Sequence, residues 1–337
     1  MNRSFIVLIL ALSVVTSTSC TSKPKTAAST TPPLTLELRP TPEFRGDSAR
    51  SFVQAQVAFG PRVPNTRAHQ ACKDYLVGQF ERFGASVIQQ QANVRAFDGT
   101  ILKATNIVAS YQPDLDKRIL LCAHWDSRPW ADQDPDPKKR QEPILGANDG
   151  GSGVGVLMEL ARLLGVEAAN NRLPNVGIDI LLFDAEDYGY PSFYPGREDM
   201  ESWCLGAQYW GKNPHKVGYK ARYGILLDMV GDPEATFYWD YYSVRYASPV
   251  LENVWSIAAA LGHASHFIKK EGMSVMDDHY YVNTLARIPC IDIIDTREDS
   301  GFVPYWHTHR DDMRNISAST LAVVGQTLLQ VLYQEAQ

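Results

Sequence analysis

Apolar runs that end on charge constrain this chain more than any other feature. Five stretches read as strands: "ATNIVASY", "RILLCAHWD", "IDILLFDAED", "YGILLDMVG" and "IPCIDIID". Unbroken Ile, Leu and Val are what strands covered on both faces need. Between them lie segments with apolar residues three and four apart, at 68–84, 153–165, 249–262 and 319–336. That alternation predicts an α/β chain, with a mostly parallel central sheet sandwiched by helices. At 337 residues, it is short enough for one domain with a single large core.

Four of the five strands pass from apolar to charged at their C-terminal ends. His124 and Asp126 follow "RILLCA", Glu186 and Asp187 follow "IDILLFDA", Asp228 follows "YGILL", and Asp295 follows "IDII". Ligands of open α/β sheets bind beyond the carboxyl ends of the strands, so these side chains are expected to converge on one site. Carboxylates gathered in a cleft raise each other's pKa values unless a cation neutralises them. A divalent metal answers that need. Asp149, among the glycines of "GANDGGSGVG", and His307 in "YWHTHRDD" are two further candidates. Carboxylate and imidazole without thiolate suit zinc in an open, catalytic site. Each residue also has an ordinary reading: Asp149 as a helix N-cap, Asp228 as a cap or arginine partner, His307 as a loop residue.

Other chemistries fit less well. "GGSGVG" lacks the spacing of a serine hydrolase elbow around Ser152, and it is neither GxGxxG nor a P-loop. Asp132, Asp134 and Asp136 alternate as in a calcium loop, but the prolines of "DQDPDPKKR" point to a solvated loop. The net charge of -6, with no block of Lys or Arg, gives no basis for nucleic-acid binding. Cys72, Cys122, Cys204 and Cys290 form no CxxC and no close pair, so no disulfide is assigned.

The N-terminal residues have the order of an export signal. Asn2 and Arg3 precede an apolar stretch from Phe5 to Val15, and Ser17-Thr18-Ser19-Cys20 follow. Small residues before a cysteine resemble a bacterial lipoprotein signal over residues 1–20, in which Cys20 becomes lipidated. That implies an exported, periplasmic protein held to the membrane only by a lipid anchor. Residues 21–40, rich in Ser, Thr, Pro and Lys, read as a flexible tether before a catalytic domain at 41–337.

"HWDS", "GANDGGSG", "FDAED", "LLDMVG", "DDHY" and "WHT" occur in the order of the zinc aminopeptidase-like clan, over about residues 45 to 337. Within that clan the chain resembles the animal-type glutaminyl cyclases and their bacterial relatives, on "HWDSRPWAD", Trp306-His307-Thr308 and the aromatic loops. Those enzymes convert an N-terminal glutamine of peptides and proteins to pyroglutamate. The resemblance implies one zinc held by Asp149, Asp187 and His307, with Glu186 as general acid and base. It implies that Asp228 and Asp278 hold the proton of Glu186 in place and that Trp306 lines the pocket. Two features depart from the animal pattern. Asp187 stands where those enzymes have Glu, and "GANDGGSG" reads more like an aminopeptidase. An aminopeptidase would hold two zinc ions, with Asp149 bridging and His124 and Asp228 completing the second site.

Overall fold

Residues 36–197, 199–298 and 301–336 are described by the computed structural model. The signal-like residues 1–20, Cys20 and the first part of the tether lie outside the described residues. In chain order the elements are α1 (Gly46–Val57), α2 (Arg67–Arg82), β1 (Ser86–Arg95), β2 (Ile101–Tyr111), β3 (Arg118–His124), α3 (Gly151–Ala169), β4 (Gly177–Phe183) and α4 (Leu205–Lys212). They continue with β5 (Tyr223–Asp228), β6 (Phe237–Trp239), α5 (Tyr241–Ala260), β7 (Phe267–Glu271), α6 (Asp278–Thr284), β8 (Cys290–Ile294) and α7 (Ala318–Glu335).

The five apolar runs become β2, β3, β4, β5 and β8 of one six-stranded sheet, ordered β1-β2-β4-β3-β5-β8. β3 pairs in parallel with β4 and β5, and β5 with β8, while β1 and β2 run antiparallel at one edge. Every residue of β3, β4, β5 and β8 is buried, as strands covered on both faces require. Val53 of α1, Phe80 of α2, Leu157 of α3, Trp255 of α5 and Leu328 of α7 share one core with Ile119, Leu121 and Ile225. Trp210 of α4 and Val282 of α6 pack with Leu120, Phe183 and Leu226, the strand residues of opposite parity. Each such apolar side chain contributes about 1.5–3 kcal/mol on burial, so the two layers together hold the sheet. Among the described residues no helix is long and apolar enough to cross a membrane.

Three differences from the sequence reading have physical causes. β1, "SVIQQQANVR", is an edge strand whose residues are mostly exposed, so it carries no apolar run to read. α5 begins before Pro249 rather than at it, because Asp240 caps an extra segment that joins across a kink at Ala247. Order also begins before residue 41: Gln334 donates to the Glu37 carbonyl and Gln326 to the Thr41 hydroxyl, laying this stretch along α7.

α3 lies so close to the sheet that only glycine fits on the sheet-facing side of its first turn. A β-carbon at Gly153 would stand 2.4 Å from the Leu227 carbonyl oxygen and 3.1 Å from the Ala123 β-carbon. Gly153→Ala is therefore expected to destabilise the fold by about 1–3 kcal/mol, despite the better helix propensity of Ala. Chemical denaturation measures this, and a variant as stable as the parent would contradict the packing described.

Candidate active site

The loops after β3, β4 and β5 meet the loop before α3 at one end of the sheet. Asp126, just beyond β3, accepts the backbone N–H groups of Glu186 and Asp187 at 3.1 and 3.2 Å, which ties two strand ends together. Asp311 does the same for the loop before α3, accepting from the N–H groups of Asn148 and Asp149 at 2.7 and 3.1 Å. Ala185, Cys204, Met229 and His307 all have positive φ in this region. Such backbone costs about 1–3 kcal/mol each and persists where surrounding structure holds it.

Asp149 is not a helix cap. Gly150 occupies the N-cap of α3 with no side-chain hydrogen bond, and Asp149 turns instead toward two histidines. Its Oδ1 lies 3.1 Å from His124 Nε2, and its Oδ2 lies 3.5 Å from His307 Nε2. Asp187 Oδ1 lies 3.4 Å from the same His307 nitrogen. Asp149, Asp187 and His307 thus offer three ligand atoms within 4.8 Å of one another. His124, Asp149 and Asp228 form a second such group, so Asp149 belongs to both.

The two groups differ in what they leave unsatisfied. His124 Nε2 stands between Asp149 and Asp228, at 3.1 and 3.3 Å. Asp149 Oδ2 and Asp187 Oδ2 are buried without a hydrogen-bond partner among the described residues. Buried polar atoms seldom stay unpaired, and two carboxylate oxygens beside an imidazole nitrogen suit a divalent cation. On the far side of the ring, His307 Nδ1 faces Asp132 at 3.4 Å. Asp132 is gripped in turn by Arg128 at 2.7 and 3.0 Å. A carboxylate behind a histidine fixes which nitrogen it presents forward.

Glu186 lies beside this set. Its Oε2 is 4.0 Å from His124 Nδ1, and its Oε1 accepts from the Cys204 thiol at 3.3 Å. Burial raises its pKa well above the ordinary value, and the charges of Asp187, Asp277 and Asp278 add to the rise against the pull of His124. Burial likewise pushes Asp228 up to about 7. Asp278, fully buried at the start of α6, has no hydrogen-bond partner for either carboxyl oxygen among the described residues and is raised well above its usual range by burial and by Asp277. Asp277 and Asp278 thus lie near enough for their charges to act on Glu186. Trp306 stacks on the His307 ring, with centroids 3.6 Å apart.

Above these acids is a pocket of about 260 Å³. Asp149, Glu186, Asp187, Asp228 and Asp277 form its floor, and Tyr190, Trp203, Phe302 and Trp306 are in its walls. A larger cavity of about 350 Å³ opens between Ser86, His215 and Lys220 at the other end of the strands. Its buried charges answer each other, since Arg118 grips Asp179 through two hydrogen bonds.

Not every acid read from the sequence joins the site. Asp295 accepts from the Thr236 N–H and pairs with Arg297, because the pleat turns Ile294 into the pocket and Asp295 away from it. Asp184, the first acid of the FDAED stretch, also stays outside the site, taken up by His69 at 2.9 Å and the Thr105 N–H at 2.6 Å. Asp132 goes the other way: it is buried behind His307 rather than solvated. Its spacing of four from Arg128 was the available signal. Nothing in the sequence pointed to Asp311 or Cys204.

A sheet with zinc-ligand side chains gathered beyond its parallel strand ends defines an enzyme of the zinc aminopeptidase-like α/β/α fold. The model of "Peptidase family M28" matches residues 106–332, and the chain belongs to that family. A glutaminyl cyclase from Bacteroides thetaiotaomicron, solved bound to N-acetylhistamine, is 52% identical, with a TM-score of 0.85 over 87% of this chain and 99% of that one. A Zn-dependent exopeptidase from Parabacteroides distasonis is 53% identical, with a TM-score of 0.84 over the same shares. The glutaminyl-peptide cyclotransferase of Drosophila melanogaster is 23% identical over 77% of this chain and 73% of its own length.

The raised carboxyls set a pH dependence. An exposed Asp ionises near 3.8, but Asp228 keeps its proton here to about 7, so the folded chain binds a proton that the unfolded chain has released. Stability of the metal-stripped protein is therefore expected to fall as pH rises from about 4 to about 7. Asp149 and Asp132, whose pKa values are lowered, act below that window. Added zinc should remove most of the fall by neutralising the cluster. Thermal midpoints across the window, with and without zinc, measure this; a stripped protein whose midpoint rises with pH would contradict it.

Proposed function

We propose that this chain is a zinc-dependent glutaminyl-peptide cyclotransferase, converting the N-terminal glutamine of peptides and proteins to pyroglutamate with release of ammonia. The observation that carries the reading is the likeness to a solved glutaminyl cyclase, 52% identical across 99% of its length. An aromatic pocket with an acid floor supports it. Asp149, Asp187 and His307 would hold one zinc, which supplies Lewis-acid polarisation of the glutamine side-chain amide carbonyl.

The chain's own groups do the remaining work. Glu186, with its carboxyl pKa raised, takes a proton from the substrate α-amine as that nitrogen attacks the side-chain carbonyl carbon. The same carboxyl returns a proton to the amide nitrogen, which leaves as ammonia. One C–N bond forms, one breaks, and no water is consumed. Asp228 and Asp278 keep the proton near Glu186. Nucleophile and electrophile belong to one residue, so orientation replaces an encounter. Trp306, packed on His307, and the other aromatic walls favour the uncharged amide and limit water.

A two-zinc aminopeptidase is the competing reading, and the His124, Asp149, Asp228 group is what favours it. Export, and a lipid anchor at Cys20, are part of the proposal and rest on the residue order of 1–20.

Two peptides differing only in the first residue separate the readings. A cyclase removes ammonia from the Gln peptide, keeps every peptide bond and leaves the Leu peptide untouched. Mass spectrometry resolves this from hydrolysis, and efficient release of free Leu would overturn the cyclase reading. Glu186→Gln keeps the shape of the site and is expected to lower turnover by about a hundredfold or more. Parent-like turnover in that variant would remove Glu186 from its role.

A further inference from the structure

Cys204 occupies a place that its backbone does not favour. It precedes α4 with φ 55° and ψ 35°, a left-handed conformation in which a β-carbon is crowded. Glycine would fit more easily there. The neighbouring contacts hold it in place: the Cys204 N–H donates to the Glu186 carbonyl at 2.9 Å and the Leu205 N–H to the Ala185 carbonyl at 3.0 Å. Two residues on, a β-carbon at Gly206 would lie 2.1 Å from the Asp184 carbonyl oxygen, so the start of α4 is pressed against the loop that carries Glu186.

The thiol faces that loop's carboxylate. Cys204 Sγ lies 3.3 Å from Glu186 Oε1, and Glu186, Cys204 and Asp277 have polar atoms within 4.8 Å of one another. Of the other three described thiols, Cys290 Sγ donates to the Ile291 carbonyl oxygen at 3.6 Å, and Cys72 and Cys122, buried like Cys204 itself, pack among apolar core residues. Burial raises the Cys204 pKa well above the ordinary thiol value, with the charge of Glu186 adding to it, so the sulfur keeps its proton and can donate. Oε2, on the side of His124, is left for proton transfer.

The geometry points to Cys204 as a positioning residue, whose S–H fixes the orientation of the Glu186 carboxyl through Oε1. This inference rests on Glu186 being the acid and base of the cyclase reading. The contact does not touch substrate or the candidate ligands Asp149, Asp187 and His307. Its loss should therefore lower kcat and leave KM and zinc content unchanged.

The test compares the full chain with Cys204→Gly, Cys204→Ala and Cys204→Ser, using a Gln peptide and ammonia release. Gly suits the left-handed backbone, which offsets the loss of the buried sulfur, so its thermal midpoint should stay near the parent's while the donor is gone. Gly and Ala are expected to lose kcat about tenfold, the effect of one hydrogen bond to a carboxylate, with KM within about twofold. Ser, whose hydroxyl still donates, should stay within about threefold. The S–H stretching band in the infrared gives a readout free of turnover. One band should disappear in Cys204→Ala, and the same band should move to higher frequency in Glu186→Gln as the acceptor weakens. Gly and Ala variants with parent kcat, or Ser as impaired as Ala, would overturn this inference alone. A parent that releases no ammonia would overturn the cyclase reading and this inference with it.

Discussion

Mutual repulsion among Asp149, Asp187, Asp228, Asp277 and Asp278, all buried beyond the strand ends beside Glu186, governs the rest of the molecule. Burial pushes most of their pKa values up, and each charge raises its neighbours' further. Two responses are built in. Some groups keep protons, which is what a proton-transferring site needs. The others face His124 and His307, and two of their oxygens lie open for a cation.

The fold brings these charges together by using the sheet's own polarity. Parallel pairing of β3, β4 and β5 delivers His124, Glu186, Asp187 and Asp228 to one end, and the close approach of α3 adds Asp149. A second layer of charge keeps them aimed. Arg128, buried beneath the Trp203 ring at 4.5 Å, grips Asp132, which stands behind His307, and also reaches Asp187 at 3.1 Å. Removing one partner of such a buried set strands the other, typically a loss of about 3–5 kcal/mol. The positive φ values at Ala185, Met229 and His307 are the local backbone cost of this arrangement.

The sequence made the inner strands legible because residues buried on both faces must be apolar throughout. The same logic hid β1, which is exposed at an edge and written in glutamine. For the site, strand-end acids were a sound guide except at Asp295, where one step of the pleat reversed the side chain. Glu186, Asp187, Asp149 and His307 were candidates from strand-end and loop placement, the motif resemblance added their roles and Trp306, and the fold brings all five to one pocket. Asp311 and Cys204 were not legible, since their importance lies in contacts with residues distant in the chain, and Asp132 showed only its spacing of four from Arg128. An acid in a proline-rich loop looks solvated until the loop is seen folded against a histidine.

Metal content tests the central claim most directly, because a buried acid cluster must be neutralised and the two candidate ligand groups share Asp149. Elemental analysis of the purified protein is predicted to give about one zinc per chain, and a His307→Ala variant is predicted to lose it. Two tightly held metals in the parent, or undiminished zinc in the variant, would contradict the account.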